Sequence, residues 1–593
     1  MKKKFINISL ALLALGCMTS CSDLLDKEVD LTLQNEQVFS KFENTRGFLA
    51  NVYSYLPDAF AGYTNGQFLA ASRDCMTDNS LSYWNVHYYH SVLNDSYDAT
   101  NHYFASTYWN NDLKGIRAAN QFMVNARESV IGNATKAGDD NHLYTRYVAE
   151  ARFMRAMLHF DMVSYFGATP IINHVLTNSE ASVMTRANAP DVLKWVADEC
   201  DSVKDVLPFR YSNENENWGR INGAAAYALK SRALLYRASK LNNTDNNTDW
   251  WKLAAAAALD FINKNASIDN PYKLYTTANN DPKQNYYQCF VTTPHLNDEF
   301  ILSRSEWNTR EIEMFTAPCG FSGNVNSTGR TNPTQNLVDS YETINGLPID
   351  KDPTYDEQKP YENRDPRLEQ TILHQGSVWG DPQQDEQRKV DVSYPDGIDY
   401  QALHGGTTTG YYTKKFLNNM SFKSPTTYLH ACPIFRYAEI LLNAAESLNE
   451  AGETNKAYQY VNQVRARVGM PPYKDMSQSA LRERIHNERR VELCFEDHRF
   501  FDERRWMLFN DQTAISEKTL PRYKQVYNIY SVVVTPKDSK EYTYKNDNTH
   551  PTRSFNLPKN YLFPIPDAEY KKDPGLRQNK GWELTTTTSS SNK

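Results

Sequence analysis

The residues best suited to chemistry lie in one charged stretch, residues 485–506, which reads IHNERRVELCFEDHRFFDERRW. Glu488, Glu492 and Glu496 follow one another at four-residue intervals, and this spacing places them on one face of a helix. A pair of carboxyl groups could supply the acid and the base of a glycoside hydrolase. Such an enzyme holds them roughly 5–9.5 Å apart across a cleft, and a sequence does not show a separation of that kind.

The same stretch favours a structural role, because arginines surround the glutamates. Apolar residues recur every three or four positions, which predicts one long helix with a narrow apolar seam; they are Val491, Cys494, Phe495, His498 and Phe501. The spacing of Arg489/Glu492, Glu496/Arg499 and Arg499/Glu503 predicts ion pairs along the helix surface, each contributing about 0.2–0.5 kcal/mol. We therefore interpret the stretch as an ion-paired structural helix rather than a catalytic one.

Composition excludes several other classes of function. The chain has 593 residues and a net charge of −7, without a basic run, which argues against a nucleic-acid partner. Its length suggests two or more domains. The six cysteines after Cys21 are scattered without a C-x-x-C pair, so neither a zinc site nor a dense disulfide framework is indicated. Phosphate-binding glycine loops, H-E-x-x-H and G-x-S-x-G are also missing from the sequence. We expect no metal, no cofactor and no catalytic residue.

Residues 1–20 have the organisation of a targeting segment. Lys2, Lys3 and Lys4 precede an apolar run over residues 5–15, which is too short to span a bilayer. The letters MTSC ending at Cys21 resemble a bacterial lipobox, with Cys17 as the rival, and the acidic letters SDLLD follow. We predict that Cys21 carries acyl chains such as palmitate, and each buried CH₂ adds roughly 0.8 kcal/mol of membrane affinity.

Residues 83–109 are unusually rich in aromatic side chains. No helix or strand period explains the run, which mixes Asn, His, Ser and Asp with Tyr83, Trp84, Tyr88, Tyr89, Tyr97, Tyr103, Phe104, Tyr108 and Trp109. Rings beside amides and hydroxyls suit a sugar-binding platform, because the ring covers the C–H face of the sugar and the polar groups bond its hydroxyls. The alternative is a loop that its aromatic residues pin to the core.

Helical periodicity dominates the chain on both sides of a long irregular region. Apolar residues, many of them alanine, recur at helical spacing in residues 43–56, 109–123, 147–165, 192–207, 226–236, 251–262, 437–451 and 457–468. Paired helices with small contact residues predict degenerate repeats of the tetratricopeptide type. Between residues 268 and 430, Pro, Gly, Asn and Thr break every period, and loops of that length usually carry function. Residues 527–534 and 541–544 predict a hairpin.

Four sequence blocks, in order, resemble the RagB/SusD family. They are YVAEARFMRAMLHFDMVSYFGATPII (147–172), FRYAEILLNAAESLNEAG (435–452), ERRVELCFEDHRFFDERRW (488–506) and NYLFPIPDAEYKKDPGLRQNKGW (560–582). The resemblance spans nearly the whole mature chain. It implies a mainly α fold, namely a tetratricopeptide-like helical scaffold with a long irregular insertion and minor β-hairpins.

The resemblance also implies a function. Family members are outer-membrane lipoproteins that bind nutrients for a SusC-like TonB-dependent transporter. We therefore expect a glycan-binding protein without enzyme activity, exposed on the surface of a Gram-negative bacterium and anchored in its outer membrane through Cys21. We expect the protein to bind its sugar with micromolar to millimolar affinity, which corresponds to a binding free energy of about −4 to −8 kcal/mol. Two alternatives stay open: the same architecture binding peptides or glycopeptides, and a secreted glycoside hydrolase.

The family places its ligand-contacting residues in two segments, the aromatic run and the insertion. This points to Trp84 and Trp307 as stacking platforms. The candidate neighbours are Arg73, Asp74, Tyr88, Tyr89 and Tyr287. Composition adds Tyr286 and Trp379 as candidate contacts in the insertion, with Gly405 and Gly406 as a mobile turn.

The expected organisation follows from these features. It comprises a signal peptide (1–20), a lipidated tether (21–42), helical repeats containing the aromatic run (43–267), the insertion as candidate ligand-binding subdomain (268–430), further repeats with the charged helix (431–510) and an irregular C-terminal segment ending in a disordered tail (511–593).

Overall fold

A computed structural model of the protein describes residues 36–60, 71–84, 86–132, 142–304, 307–402, 405–510, 520–535, 541–546 and 553–583. The predicted signal peptide, Cys21, most of the predicted tether and the predicted tail after Glu583 lie outside these ranges. Among the described residues, none of the helices has both the length and the apolar character needed to cross a membrane.

Helices are the main regular structure of the molecule, and the mainly α prediction is confirmed. They are α1 Phe42–Tyr53, α2 His87–Leu93, α3 Tyr103–Asn125, α4 Glu128–Ile131, α5 Leu143–Phe166, α6 Asn178–Ala181, α7 Ala189–Asp201, α8 Glu214–Asn217, α9 Gly223–Ala238, α10 Thr248–Ala266, α11 Asn285–Val291, α12 Glu311–Thr316, α13 Gln335–Ser340, α14 Arg367–Thr371, α15 Tyr437–Glu450, α16 Thr454–Arg467, α17 Gln478–Glu492, α18 Arg499–Arg505 and α19 Asp567–Lys572. Each of the eight periodic segments predicted above is helical over most of its length.

The long helices stack in chain order, as repeats do. Helix α3 packs on α5, α5 on α7, α7 on α9, α9 on α10, α10 on α15, and α15 on α16 and α17. The alanines of α9 are buried, and side chains this small let neighbouring helices approach closely. Helix α5 ends at Gly167, whose φ of +70° suits glycine and whose added Cβ would lie 2.6 Å from Leu562 Cδ1.

The insertion contains short elements around a second hydrophobic core. The described strands of the molecule are β1 Ser80–Leu81, β2 Phe300–Ser303, β3 Trp307–Thr309, β4 Asn332–Pro333, β5 Ile372–Leu373, β6 Val378–Trp379, β7 Arg388–Lys389, β8 Gln401–Ala402, β9 Gly405–Gly406, β10 Tyr412–Thr413, β11 Tyr428–His430, β12 Pro433–Arg436, β13 Tyr530–Thr535 and β14 Glu541–Asn546, of which β2 to β11 lie in the insertion. Within the described ranges they form two-stranded antiparallel sheets, including β2–β12 and β3–β11. The predicted hairpin is confirmed as β13–β14.

The charged stretch is not one continuous helix, so that prediction is wrong. Helix α17 ends at Glu492, a tight bend follows, and α18 begins at Arg499. Phe495 and Asp497 both have φ of +62° within the bend, which a helix does not allow. The Phe495 amide donates to Asp74 Oδ2 at 2.9 Å instead of to its own helix.

The glutamates of this stretch are buried rather than exposed, which corrects the predicted surface ion ladder. Glu492 is fully buried. It pairs with Arg436 at 2.7 Å, with Arg367 at 3.0 Å and with Arg467. Of the three predicted pairs, Arg499 and Glu503 do meet, at 3.7 Å, but inside the protein.

These ion pairs connect the helical scaffold with the insertion and with β12, which follows it. Glu496 binds Arg436 of β12 at 2.7 Å and Lys415 at 2.5 Å, while Glu488 binds Arg367 of α14 at 2.6 Å. The charged stretch is therefore a junction between two cores, and the structural interpretation of its glutamates is supported by their partners. Cys200 and Cys494 are small buried residues, as predicted, and both thiols are free.

Candidate ligand-binding face

The short helix α12 connects the two segments in which the sequence places ligand contacts. It begins two residues after β3, the strand of Trp307, and the amide of Glu311 donates to Thr309 Oγ1 at 3.0 Å. At its other end, the Thr328 amide donates to the Met314 carbonyl at 2.9 Å. Thr328 in turn accepts a hydrogen bond from Trp84. The aromatic run and the insertion therefore meet at α12.

Trp84 is half-buried at this junction. Its Nε1 donates to the Thr328 carbonyl at 3.3 Å, and the guanidinium of Arg330 lies 4.2 Å over the ring. The same guanidinium lies 5.3 Å from the Phe315 ring. Burial lowers the pKa of Arg330. Arg330 therefore holds Trp84 and Phe315 together and covers one face of the indole.

Strand β3 places Trp307 directly opposite His430 of β11. The Trp307 side chain lies outside the described part of the structure. His430 is buried and meets Glu313 of α12 at 3.0 Å, so β11 is tied to the same helix. Tyr428 stands opposite Thr309 and is half-buried, and its neighbour Leu429 is exposed.

Tyr287 reaches the same side of the molecule from α11. Its hydroxyl donates to the Leu417 carbonyl at 2.6 Å, and Lys414 Nζ lies 5.0 Å over its ring. Burial raises the pKa of Tyr287, and the nearby Glu313 and Tyr428 side chains raise it further. We call the rings of Trp84, Phe315, Tyr428 and Tyr287, together with β3, the aromatic face.

Two of the predicted contacts lie inside the protein. Asp74 accepts hydrogen bonds from Asn79 Nδ2 at 3.1 Å and from Phe495, and burial raises its pKa to about 6. Tyr89 donates to the Ala71 carbonyl at 3.2 Å and stacks on Phe104. Because both side chains are buried and bonded within the core, the aromatic face does not include them.

Arg73 and Tyr88 are half-buried but do not join the aromatic face. Arg73 pairs with Asp497 and donates to the Tyr108 hydroxyl at 3.1 Å. Tyr88 stacks on Tyr103 with 4.3 Å between ring centroids. Much of the aromatic run is in fact helical, in α2 and the start of α3, so most of its rings pack between helices. For these rings the alternative interpretation is correct: they pin the segment to the core. Trp84 precedes α2 and is only half-buried.

The remaining candidates of the insertion are also structural. Tyr286 and Trp379 are buried, and Gly405 and Gly406 form β9 rather than a free turn. Sequence reasoning missed Phe315, Tyr428 and Arg330. Helix α12 and strand β11 are six and three residues long, too short for a period to identify them.

The aromatic face offers rings and hydrogen-bonding groups rather than a reactive centre. The carboxylate of Glu313, on α12, is buried, accepts a hydrogen bond from the Asn418 amide and meets His430. Within the described ranges, no cluster of three His, Cys, Asp or Glu side chains is placed to hold a metal ion. The arrangement suits the binding of a ligand that has both apolar faces and polar edges.

Comparison with protein families gives two matches that together cover most of the chain. The model of the SusD family matches residues 260–582. A second model, described as starch-binding associating with outer membrane, matches residues 23–235. Two relatives from Formosa agariphila, SusD-like proteins P2 and P38, are 24% and 23% identical to this chain; they match 80% and 84% of it and 80% and 91% of their own length.

Solved structures agree in fold. A SusD-like protein from Bacteroides fragilis aligns with a TM-score of 0.73 at 23% identity, over 92% of this chain and 98% of its own. A SusD-like carbohydrate binding protein from the same species aligns with a TM-score of 0.69 at 24% identity, over 91% and 100%. A laminarin binding SusD-like protein gives a TM-score of 0.59 at 18% identity, over 92% and 100%.

Proposed function

The chain belongs to the SusD family, and from this membership we propose that it binds a glycan on its aromatic face and passes it to a SusC-like TonB-dependent transporter. It acts at the cell surface of a Gram-negative bacterium, anchored in the outer membrane through a lipid on Cys21. In this proposal the binding residues are Trp84, Tyr287 and Trp307, together with Phe315 and Tyr428 of the same face.

The observation that carries this proposal is the convergence of aromatic rings from distant parts of the chain. Trp84, Tyr287 and Tyr428 are far apart in sequence, yet α12 and its contacts bring their segments together. Each ring is half-buried, so part of it remains accessible to a ligand. The description of one matching family model as starch-binding, and of two structural neighbours as carbohydrate binding and laminarin binding, favours a glycan over a peptide.

Binding proceeds without turnover in this proposal. The carboxylates that first suggested a hydrolase are buried, and Glu488 and Glu492 share Arg367 while Glu492 and Glu496 share Arg436. A carboxylate held by arginines inside the protein cannot reach a glycosidic oxygen. A reducing-sugar assay on the bound glycan is expected to show no release, and turnover would support the hydrolase alternative.

The binding role of the aromatic face can be tested with the Trp84→Ala/Trp307→Ala double variant. We expect it to unfold near the parent temperature but to lose glycan affinity, by about 1–3 kcal/mol for each ring by analogy with aromatic stacking on bases. The glycan is identified first on a glycan array run beside a peptide pool, and affinity is then measured by calorimetric titration.

Trp250→Ala is the matched control for this experiment. Trp250 is also half-buried and also lies beneath an arginine, Arg237, at 4.0 Å, but it sits on the helical scaffold. Its loss should leave affinity unchanged. Equal affinity in the double variant and the parent would show that neither tryptophan belongs to the site. Binding of peptides but not of glycans would show that the ligand is a peptide.

The lipid anchor is tested separately. The lipobox-like letters before Cys21 predict that Cys21→Ala releases the protein from the membrane fraction, because the acyl chains supply the membrane affinity. Cys17→Ala should remain membrane-bound. The reverse result would assign the lipid to Cys17, and cell fractionation with immunoblotting distinguishes the two.

A further inference from the structure

A cavity of about 770 Å³ opens on the helical scaffold, away from the aromatic face. It lies between α15, α17 and α18 and the connection from α9 to α10. None of its described lining residues belongs to the aromatic face. Its volume falls within the range of small-molecule sites, about 300–1,000 Å³, and the proposed function does not use it.

A flat aromatic surface forms part of its wall. The imidazole of His486 stacks on Trp506 with 3.7 Å between ring centroids and 12° between planes, and Trp506 Nε1 donates to Glu446 Oε1 at 2.8 Å. The His486 side chain keeps 22% of its accessible surface. Trp251 lines the same cavity. The hydrogen bond to Glu446 fixes the orientation of Trp506, and the His486 ring stacked on it is therefore held parallel to the indole.

His486 is neutral at physiological pH. Burial lowers its pKa to about 3, although the Glu446 carboxylate acts in the opposite direction. Its Nε2 lies 3.8 Å from that carboxylate, a distance too long for a hydrogen bond. The cavity therefore presents an uncharged ring with a polar edge.

The charged groups of the cavity are already balanced by partners. At the rim, Arg482 donates to Glu450 at 2.6 Å and Lys524 to Glu483 at 2.8 Å. On the inner wall, Arg490 and Arg499 share Asp78. Paired charges give little net attraction to an ion, but they still offer donors and acceptors to a neutral, hydroxyl-rich ligand.

We infer that this cavity is a second carbohydrate site, which takes an uncharged mono- or disaccharide unit with its C–H face against His486. An aromatic wall with hydrogen-bonding groups at the rim matches a sugar in the same way as the aromatic face does. The choice of carbohydrate as ligand class rests on the proposed function, but the residues are different. The sugar is either a free saccharide or the end of a longer glycan.

The test uses the intact protein labelled with ¹⁵N at its indole groups. Glucose, galactose, mannose, xylose, maltose, cellobiose and lactose are titrated in turn, and the indole signals are assigned with Trp251→Phe and Trp506→Phe. At least one sugar should shift the Trp506 and Trp251 signals with a saturable dependence in the millimolar range. The same titration with the longer glycan found on the array shows whether a chain end binds as a free sugar does.

Two variants then place the sugar in the cavity. His486→Ala removes the stacking ring, and Thr244→Phe adds bulk at an exposed lining residue without removing a buried group. Each should weaken the sugar at least tenfold while the thermal melt confirms folding, and Trp84→Ala should leave it unchanged. His174→Ala, at an exposed histidine of the scaffold, is the control.

Failure of this inference is distinguishable from failure of the proposed function. If sugars shift only the indole signal of Trp84 and Thr244→Phe does not change sugar affinity, the cavity is not a carbohydrate site. The proposed binding role of the aromatic face is then retained. If no sugar shifts Trp506 or Trp251, the second site is rejected, whereas the glycan array still tests the first. Shifts caused by glycine or glutamate but by no sugar would also overturn it.

Discussion

Replacing Glu492 with alanine should lower the free energy of unfolding by about 3–5 kcal/mol, the cost of breaking a buried ion pair by removing one partner. The Glu492 carboxylate is fully buried and lies among Arg367, Arg436 and Arg467. Without it, three guanidinium groups from α14, β12 and α16 share fewer negative partners inside the protein. The loss should appear as a lower midpoint in both thermal and denaturant unfolding.

Glu483→Ala is the matched control, on the same helix. Glu483 is 66% exposed and pairs with Lys524 at 2.8 Å. Surface pairs contribute about 0–1 kcal/mol, so this variant should unfold near the parent midpoint. Equal losses in the two variants would show that burial does not set the effect, and the junction described here would lose its energetic basis.

The effect of Glu492 should depend on pH in a defined direction. Burial alone would raise its pKa, but Arg467, Arg436 and Arg367 hold the pKa well below the usual glutamate value. A carboxylate with a lowered folded-state pKa stabilises the protein above its unfolded-state pKa of about 4.3. The difference between parent and variant should therefore be full at pH 7 and shrink as the pH falls below about 4.

Glycan binding provides a second measurement on the same variant. Once affinity is corrected for the folded fraction, Glu492→Ala should bind as the parent does, because the carboxylate does not reach the aromatic face. A folded variant that no longer binds would return a ligand-binding role to this helix.

Phe495→Ala should destabilise the protein by about 3–5 kcal/mol, the usual cost of truncating a buried phenylalanine. Its ring is buried in the core of the insertion, although the residue belongs to the bend after α17. Removing the ring leaves a cavity at the junction of the two cores. Denaturant unfolding measures the loss.

Phe495→Leu separates the packing of the ring from the unusual backbone. Leucine fills much of the space but has the same difficulty as alanine with a φ of +62°. We expect this variant to be clearly more stable than Phe495→Ala. If leucine were as destabilising as alanine, the backbone or the shape of the ring would dominate over the buried volume.

The long helices could be predicted from the sequence, because each one buries an apolar stripe and a stripe has a period. Helix α7 shows this clearly, since its buried Val192, Val196 and Cys200 recur every four residues. The bend after Glu492 could not be predicted in the same way. The period continues through Phe495 and His498, and the helix is interrupted by a hydrogen bond to Asp74, which is 421 residues away.

The candidate site likewise contains residues that the sequence could identify and residues whose burial it could not. Residue types identified Trp84 and Tyr287 as rings in irregular segments, and both lie on the aromatic face. The family resemblance also suggested Tyr89 and Asp74, and both of these side chains are buried. An aromatic residue in a loop has the same composition whether its ring faces solvent or the core, and the packing of α2 against α3 decided between the two.

The sequence by itself determined the helical scaffold, the interruption by a long insertion and the family, because periodicity and motif order are local properties of the chain. Only the tertiary structure decided that the glutamates are buried. Their partners, such as Arg367 and Arg436, lie 56–125 residues from Glu492 along the chain. Spacing along a helix reports which side chains share a face, whereas burial depends on which distant segment covers that face.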